Sequence, residues 1–221
     1  KIISSGDFLN KEIISKFLKK FKKNYELYNI YGITELGGRV FINYINKSNT
    51  PFSLGKELSH FKIDLKETSN EIYELCIKSK YVFKGYFEDI INDNFLINNY
   101  FYTNDLVAKE KNKMTIIGRK NEIFKSSGIK IFPEMIKNEM LKMKIIKNVF
   151  IFPKYIQNYG NVPIAAYQSE KKIAEEKIFD LLNKNLEKNH VPKEFIWYKK
   201  FPFLKNKKID KLKIQNEFSK N

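Results

Sequence analysis

The segment YGITE at residues 31–35 places a threonine and a carboxylate close to a glycine. A glutamate that follows a threonine on such a loop can serve as a hard-oxygen ligand for Mg²⁺ beside a triphosphate, which makes Glu35 a candidate metal ligand. The ring of Tyr31 can lie against a purine, and Gly32 allows a ligand to approach the backbone closely. The alternative is an ordinary turn that carries a solvated acid, so the other motifs of the chain must decide between the two.

Arginine is rare in this chain, because 41 residues are Lys or Arg and just two of them, Arg39 and Arg119, are arginine. A guanidinium offers a fixed planar fork of donors, whereas lysine offers a point charge. An arginine at position 119 therefore indicates a requirement for that fork and makes Arg119 a second candidate site residue.

The elements around YGITE predict a ligand site at a sheet edge. A helix is expected from Asn10, with Ile13, Ile14 and Phe17 on one face, and residues 25–30 alternate as a strand does. The YGITE segment then follows the carboxyl end of a strand, which is where open α/β sheets bind ligands.

The remainder of the chain predicts two further regions. Short strand-like runs at 61–65, 72–77 and 114–117 indicate a small β-rich subdomain. After Arg119, helices at 133–143 and 170–188 interleave with strands at 148–152, 162–167 and 195–198. The predicted class is mixed α+β, with residues 1–119 (α/β at 1–36 and β-rich at 37–119) followed by an α+β unit at 120–221. The family resemblance given below implies that residues 1–119 are the end of a large α/β domain whose β-rich subdomain is a distorted barrel, and that the unit at 120–221 is a mobile domain.

Composition excludes several classes of protein. The chain of 221 residues is 43% hydrophobic, has no apolar run of membrane-spanning length, and starts without a signal-peptide pattern. The single cysteine, Cys76, rules out an internal disulfide and suits a cytoplasmic location, and we expect it to be a structural thiol. His60 and His190 have no partner at metal-ligand spacing. The net charge of +16 comes from scattered lysines and does not predict specific nucleic-acid binding, although it can favour anionic substrates or an acidic partner.

Four stretches, taken together and in order, resemble the second half of adenylate-forming enzymes, the superfamily of acyl-CoA synthetases, peptide-synthetase adenylation domains and luciferases. They are YGITE at 31–35, YTND at 102–105, the run from Gly118-Arg119 through KSSGIKIFPE at 125–134, and NKKID at 206–210. The segment KSSGIKIFPE is the most specific, since it closely resembles the pattern Lys-x-x-Gly-x-x-Ile-x-Pro-x-Glu, with Glu134 directly after Pro133. The resemblance covers nearly the whole chain.

The resemblance implies a nucleotide site in the first part of the chain. Glu35 would bind the metal, Thr34 would contact the phosphates, and Asp105 would accept hydrogen bonds from both ribose hydroxyls. Arg119 would contact the ribose or a phosphate. The remaining nucleotide-binding positions would be Gly6, Asn29, Tyr31 and Gly32.

The resemblance also implies roles in the last hundred residues. Asn121 would be the hinge, where the family usually has Asp or Lys, and Lys125 and Gly128 would form the face used in thioester formation. Lys208 would bridge the carboxylate and the α-phosphate during adenylation. Lys207 stands where the family has Gly, and Asn104 replaces another Gly, a change that Asn tolerates because it adopts left-handed conformations.

The function implied is AMP-forming activation of a small carboxylate with ATP and Mg²⁺, followed by transfer to the thiol of coenzyme A or of a phosphopantetheine on an acyl or peptidyl carrier protein. A phosphate loop is expected before Gly6, so the chain is expected to be a fragment that is inactive by itself. The alternative is a non-catalytic binding module that docks a carrier protein or the missing half.

Overall fold

The computed structural model describes residues 1–6, 14, 17, 19–20, 26–45, 53–69, 71–85, 96–157 and 159–219. Most of the helix predicted from Asn10 lies outside these residues, although 14, 17, 19 and 20 are helical. The chain divides into two compact units, Lys1–Lys120 and Asn121–Asn221, which are described separately. The expected domains, 1–119 and 120–221, stay a prediction.

The first unit consists of two sheets among its described residues. The four-stranded sheet has the order β1-β2-β3-β4, in which β1 and β2 are parallel and the other pairs antiparallel. The five-stranded sheet has the order β5-β6-β8-β7, with β9 paired to β8, and is antiparallel throughout. The strands are β1 Ile2–Ser5, β2 Leu27–Tyr31, β3 Phe41–Ile45, β4 Lys56–Glu57, β5 Lys62–Ser69, β6 Ile72–Lys78, β7 Leu96–Ile97, β8 Tyr100–Glu110 and β9 Lys113–Arg119.

An apolar core holds the first unit together. Phe41 of β3, Leu75 and Ile77 of β6 and Val107 of β8 are fully buried in one cluster, to which Leu36, Val40, Leu54 and Phe61 also belong. Burial of this apolar surface is the main stabilising contribution. The described strands of this unit do not close into a barrel, so the distorted barrel expected from the sequence is replaced by open sheets.

The second unit is a sheet with helices on both faces. Its sheet has the order β12-β13-β14, antiparallel and then parallel, and a separate hairpin pairs β10 with β11. The elements are β10 Phe124–Ser126, β11 Ile129–Ile131, α1 Pro133–Leu141, β12 Ile146–Ile156, β13 Gly160–Ser169, α2 Glu175–Asn185, β14 Glu194–Tyr198 and α3 Lys211–Ser219.

Side chains of the central strand β13 alternate between two cores. Ala165 and Tyr167 pack in the cluster that contains residues of α1 and α2, and Ile164 and Ala166 pack in the cluster that contains Ile214 of α3. A strand buried on both faces explains why residues 162–167 are almost entirely apolar. Pro133 begins α1, as the sequence predicts, because its fixed φ suits the first helical turn. The mixed α+β class is confirmed.

No helix within the described part of the chain combines the length and the apolar composition that a membrane crossing needs.

Candidate nucleotide site and thiol face

The parallel strands β1 and β2 bring two predicted site residues to the same sheet edge. Their register pairs Ser5 with Ile30, so Gly6 and Tyr31 lie at the adjacent carboxyl ends of the two strands. Carboxyl ends of parallel strands present unpaired backbone groups to a ligand. This edge is the expected position of the nucleotide.

Asp105 links Tyr31 to Arg119. The Tyr31 hydroxyl donates a 2.5 Å hydrogen bond to Oδ2 of Asp105, and Nε of Arg119 lies 3.0 Å from Oδ1. The Asp105 side chain is 5% exposed, whereas the Arg119 side chain is 56% exposed. Burial, together with the adjacent carboxylate, raises the pKa of Tyr31 well above its ordinary value, so its hydroxyl stays a proton donor.

A β-bulge presents Asp105. The pairing of β6 with β8 shifts between Glu74 and Cys76, because one residue of β6, Leu75, lies opposite three residues of β8, 103–105. Within the shift, Asn104 has a φ of 59°, which is the left-handed conformation expected for an Asn in place of Gly. Thr103 Oγ1 donates to the carbonyl of Leu75 at 2.9 Å and accepts from the Asp105 N–H at 3.0 Å. The bulge therefore fixes the direction of the carboxylate.

Thr34 and Glu35 lie on a single 3₁₀ turn, Thr34–Leu36, that follows β2. The backbone carbonyl of Glu35 accepts a 2.8 Å hydrogen bond from the Phe83 N–H, which holds the turn against a neighbouring segment. Thr34 is exposed and Glu35 is half-buried. A carboxylate and a hydroxyl at such a turn are oxygen donors of the kind that Mg²⁺ accepts. The assignment of Mg²⁺ to Glu35 stays a prediction.

Gly32 is required by the shape of this loop. A Cβ at position 32 would lie 1.9 Å from the carbonyl oxygen of Gly38, so no other residue fits without moving the backbone. The close approach that the sequence assigned to a ligand at Gly32 is made, in the structure, by the chain itself.

Asn29 provides a buried acceptor on the same strand as Tyr31. Its Oδ1 is buried and has no hydrogen-bond partner among the described residues. Residues two apart on a strand share a face, so Asn29 and Tyr31 lie on the same side of β2. A buried acceptor that lacks a donor carries a desolvation cost which a bound donor would remove.

In the second unit, Lys125 and Gly128 belong to the β10–β11 hairpin. Lys125 is exposed and pairs in register with Lys130. Gly128 forms the turn with a φ of 82°, and a Cβ built on it would meet open space. The turn therefore requires glycine for its backbone conformation and leaves room above it.

The loop that carries Lys208 is held by side-chain caps at both ends. Asn206 Oδ1 accepts from the Lys208 N–H at 3.1 Å, and Asp210 Oδ1 accepts from the Lys213 N–H at 3.0 Å at the start of α3. Lys207 takes a φ of 65°, the conformation that a glycine would adopt there. The Lys208 side chain is exposed, as a mobile ammonium must be.

The predicted residues thus form two groups. Gly6, Asn29, Tyr31, Gly32, Thr34, Glu35, Asp105 and Arg119 belong to the first unit, and Asn121, Lys125, Gly128 and Lys208 belong to the second. The structure brings Tyr31, Asp105 and Arg119 into direct contact. Within the described residues, no group of three or more His, Cys, Asp or Glu side chains could hold a metal ion.

Sequence reasoning missed the pairing of Lys120 with Glu74, whose ammonium and carboxylate lie 2.6 Å apart. Glu74 sits in β6 next to apolar residues, and this carboxylate within a buried strand was the available signal. A buried acid requires a partner, although its position along the chain could not be found from the sequence.

Comparison with known proteins gives relatives of two kinds. The chain is 29% identical over 178 residues to 2-succinylbenzoate–CoA ligase from Oceanobacillus iheyensis, which covers 78% of the chain and 37% of that protein. It is 26% identical over 228 residues to bacitracin synthase 3 from Bacillus licheniformis, covering 95% of the chain and 4% of that protein. No protein-family model matches the chain.

Solved structures agree on the fold. The o-succinylbenzoate CoA synthetase of Bacillus subtilis, in complex with its acyl-adenylate intermediate, superimposes with a TM-score of 0.79 at 19% identity, covering 97% of this chain and 45% of that one. An amide bond synthetase from Marinactinospora thermotolerans superimposes with a TM-score of 0.84 at 14% identity, and the match covers 99% of this chain and 47% of that one.

The chain is a homologue of the C-terminal portion of adenylate-forming enzymes. The chain spans less than half the length of these relatives. It covers 37% of one 2-succinylbenzoate–CoA ligase and 46% of another. In this adenylate-forming fold, the first unit carries the predicted nucleotide residues and the second carries the predicted lysine loop and thiol face.

Proposed function

We propose that the chain is the C-terminal portion of an AMP-forming acid–thiol ligase, which joins a carboxylate to AMP with loss of pyrophosphate and then transfers the acyl group to a thiol. The observation that carries the proposal is the contact of Asp105 with both Tyr31 and Arg119, beside the ends of two parallel strands. This arrangement supports Asp105 as the acceptor for a ribose.

Asp105 is held by two contacts, because Tyr31 and Arg119 each donate to a different oxygen of its carboxylate. In the proposed function, the ribose hydroxyls would donate to this carboxylate. Arg119 uses Nε toward Asp105, and its other N–H groups are available to a ribose or phosphate oxygen because the side chain is half-exposed.

The neighbouring residues supply the rest of the nucleotide site. Asn29 Oδ1 is an acceptor that the amino group of adenine can satisfy. Thr34 would contact the phosphates, and Glu35 would hold Mg²⁺, which supplies neutralisation of the phosphate charge when it is bound. Gly6, at this edge, has a φ of 90°, a backbone conformation that favours glycine.

Lys208 and the hairpin face are proposed to act in successive steps. Lys208 would stabilise the charge that develops between the carboxylate and the α-phosphate during adenylation. The second unit would then rotate about Asn121 and present Lys125 and Gly128 to the incoming thiol. The open space above Gly128 suits the passage of a narrow pantetheine arm.

The thiol substrate is proposed to be coenzyme A or a carrier-bound phosphopantetheine. A relative named as a CoA ligase favours the first, and the match to bacitracin synthase 3 favours the second. The positive charge of the chain would favour either acceptor, since coenzyme A is anionic and a carrier protein of acidic surface would be attracted as well.

The test is ATP–pyrophosphate exchange with a mixed pool of fatty, aryl and amino acids, measured for this chain and for the longest reading frame that contains it. We expect exchange in the longer protein and little in the chain alone. In the longer protein, Asp105→Asn should weaken ATP binding, whereas Asp64→Asn, a matched change at an exposed aspartate of β5, should leave exchange unchanged. Absence of exchange in either protein, for the whole pool, would favour a non-catalytic binding module.

A further inference from the structure

His190 is a buried titratable side chain that the proposed reaction does not use. It ends the 3₁₀ turn Lys188–His190, which follows α2, and the residue is 7% exposed. Neither ring nitrogen has a hydrogen-bond partner among the described residues. Burial of a polar ring without partners costs free energy, and the cost is larger when the ring is charged. The packed structure therefore favours the neutral imidazole.

The imidazole packs at the end of the β10–β11 hairpin. Its ring is stacked on the ring of Phe132, with the centroids 6.4 Å apart and the planes 4° apart, and Phe132 joins β11 to α1. The 3₁₀ turn also contacts β11 itself. The next residue, Val191, belongs to the same buried cluster as Ile131 of β11. The turn and the hairpin that carries Gly128 thus share one packed core.

The charged groups on the same segment do little to favour a proton on this ring. Burial lowers the pKa of His190, and the carboxylate of exposed Glu187 opposes this effect only in part. The other charged neighbour in the turn, exposed Lys188, is a cation and disfavours a second positive charge.

The elements packed against the turn offer no better partner. The hairpin contributes two exposed cations, Lys125 of β10 and Lys130 of β11. The acid nearest in sequence to Phe132 is Glu134 of α1, which already pairs with Lys137 at 2.9 Å. A proton on His190 would therefore place a charge in a buried site that does not compensate it.

We propose that His190 is a pH-sensitive switch, which holds the β10–β11 hairpin in its packed position while the imidazole is neutral and releases the hairpin when the imidazole takes up a proton. The direction follows from linkage. The released form has a solvated ring and binds a proton more readily than the packed form. Release therefore becomes more favourable as the pH falls below 6.5, the ordinary pKa of histidine.

The consequence for activity rests on the proposed function. The hairpin carries Lys125 and Gly128, to which that function assigns the transfer to the thiol. Acid should therefore disturb the transfer step, whereas adenylation, which is assigned to Lys208, should be less affected. The switch itself is a property of the packed chain and can be measured without either reaction.

The experiment follows hydrogen–deuterium exchange of the whole chain by NMR at pH 7 and pH 5, corrected for the intrinsic exchange rate. At pH 5 the amides of residues 124–131 should lose protection several-fold, up to a limit of roughly thirtyfold set by the distance of about 1.5 pH units below 6.5. The amides of residues 164–166, in the buried centre of β13, should keep their protection. An equal loss in both places would overturn the switch, because the whole unit would then be unfolding.

The chain offers a matched control, since His60 and His190 are its two histidines. His60→Gln, at an exposed position of the first unit, should leave the exchange unchanged at both pH values. In this variant the ring protons of His190 are the sole imidazole signals, and they report its titration directly. Their midpoint should lie below pH 6.5 and should coincide with the loss of hairpin protection.

Two variants at position 190 remove the titration. His190→Phe keeps an aromatic ring against Phe132 and should give hairpin protection that is the same at pH 7 and pH 5. His190→Gln, which is smaller and does not titrate, serves the same purpose if the larger ring prevents folding. Circular dichroism checks that each variant is folded.

Acid loss of hairpin protection in a folded position-190 variant, equal to that of the unmodified chain, would overturn the inference. Unchanged protection in the unmodified chain would overturn it as well. The measurement uses neither ATP nor a carboxylate, so it is separate from a failure of pyrophosphate exchange, which would remove the proposed function and leave the switch intact.

Discussion

The hydroxyl of Tyr31 donates to the carboxylate of Asp105 at 2.5 Å and thereby connects the two sheets of the first unit. Tyr31 ends β2 of the four-stranded sheet, and Asp105 lies in β8 of the five-stranded sheet, 74 residues later in the chain. The same carboxylate pairs with Arg119. One buried acid therefore fixes the position of the tyrosine and the arginine at the proposed nucleotide site.

Tyr31→Phe should lower the free energy of unfolding by about 1–3 kcal/mol, because it removes a hydrogen bond to a buried charged group. Chemical denaturation followed by circular dichroism measures the change. Tyr28→Phe is the matched control, since that hydroxyl donates to exposed Glu26, and it should change stability by less than about 0.5 kcal/mol. Equal losses in the two variants would contradict the importance given to the Asp105 contact.

Gly32→Ala should be among the most destabilising substitutions in the loop, at about 3 kcal/mol, because the new Cβ would collide with the Gly38 carbonyl. Gly128→Ala is the comparison, because a Cβ at position 128 would meet open space. This substitution should cost about 1 kcal/mol, owing only to the left-handed backbone conformation at that position. Thermal unfolding of the two variants side by side tests this order, and the reverse order would refute the close approach at Gly32.

Lys207→Gly should stabilise the chain by about 0.5–1 kcal/mol, because glycine relieves the left-handed conformation that a lysine adopts there at a cost. Lys205→Gly, in the same exposed loop but without a positive φ, should destabilise it slightly. Denaturant titration of the Lys207→Gly and Lys205→Gly variants measures the change in the free energy of unfolding for each. Stabilisation by both changes would point to a general effect of charge removal.

Lys208→Ala should reduce adenylation by about 10²–10³-fold in the full-length enzyme, as expected for loss of a group that stabilises charge in the transition state. Transfer from a supplied acyl-adenylate to the thiol should be nearly unaffected. Lys205→Ala is the control in the same loop and should leave both half-reactions close to normal. Equal losses in the two half-reactions would exclude the role assigned to Lys208.

Stability should fall as the pH rises through 9, owing to Cys76. Burial raises the pKa of this thiol from 9.0 to about 11, so the unfolded chain releases a proton that the folded chain retains. Unfolding then becomes progressively more favourable between these two values. Cys76→Ala should remove this part of the pH dependence, which denaturation at pH 8 and pH 10 measures. An unchanged slope would show that the thiol is not the responsible group.

Local sequence patterns were sufficient to predict the main strands and the first helix of the second unit, but they were insufficient for part of the first unit. The short apolar runs at residues 148–152 and 162–167 mark strands β12 and β13, and Pro133 marks the start of α1, because these signals are local. The longest strand of the first unit, β8, contains Asn104 and Asp105, which resemble a turn in sequence. Its bulge is stabilised by Thr103 and Leu75 from another strand, which no local pattern records.

For the candidate site as well, some features could be predicted from the sequence, whereas others depend on contacts between distant residues. The family resemblance predicted which residues share a site, whereas the contact of Tyr31 with Asp105 depends on how two sheets meet. The ion pair between Lys120 and Glu74 joins residues 46 positions apart and was missed for that reason.

The bulge at Asn104 has a consequence for how this chain can vary. Residues 105, 106 and 107 of β8, which follow the bulge, are buried in succession, so this part of the strand is buried on both faces. Deletion of the single codon for Asn104 would shift the strand by one position and exchange the faces of the side chains on one side of it. Point substitutions at this position are thus tolerable for residues that accept a left-handed backbone, whereas changes in length are not, and surviving homologues should differ here in residue type and never in spacing.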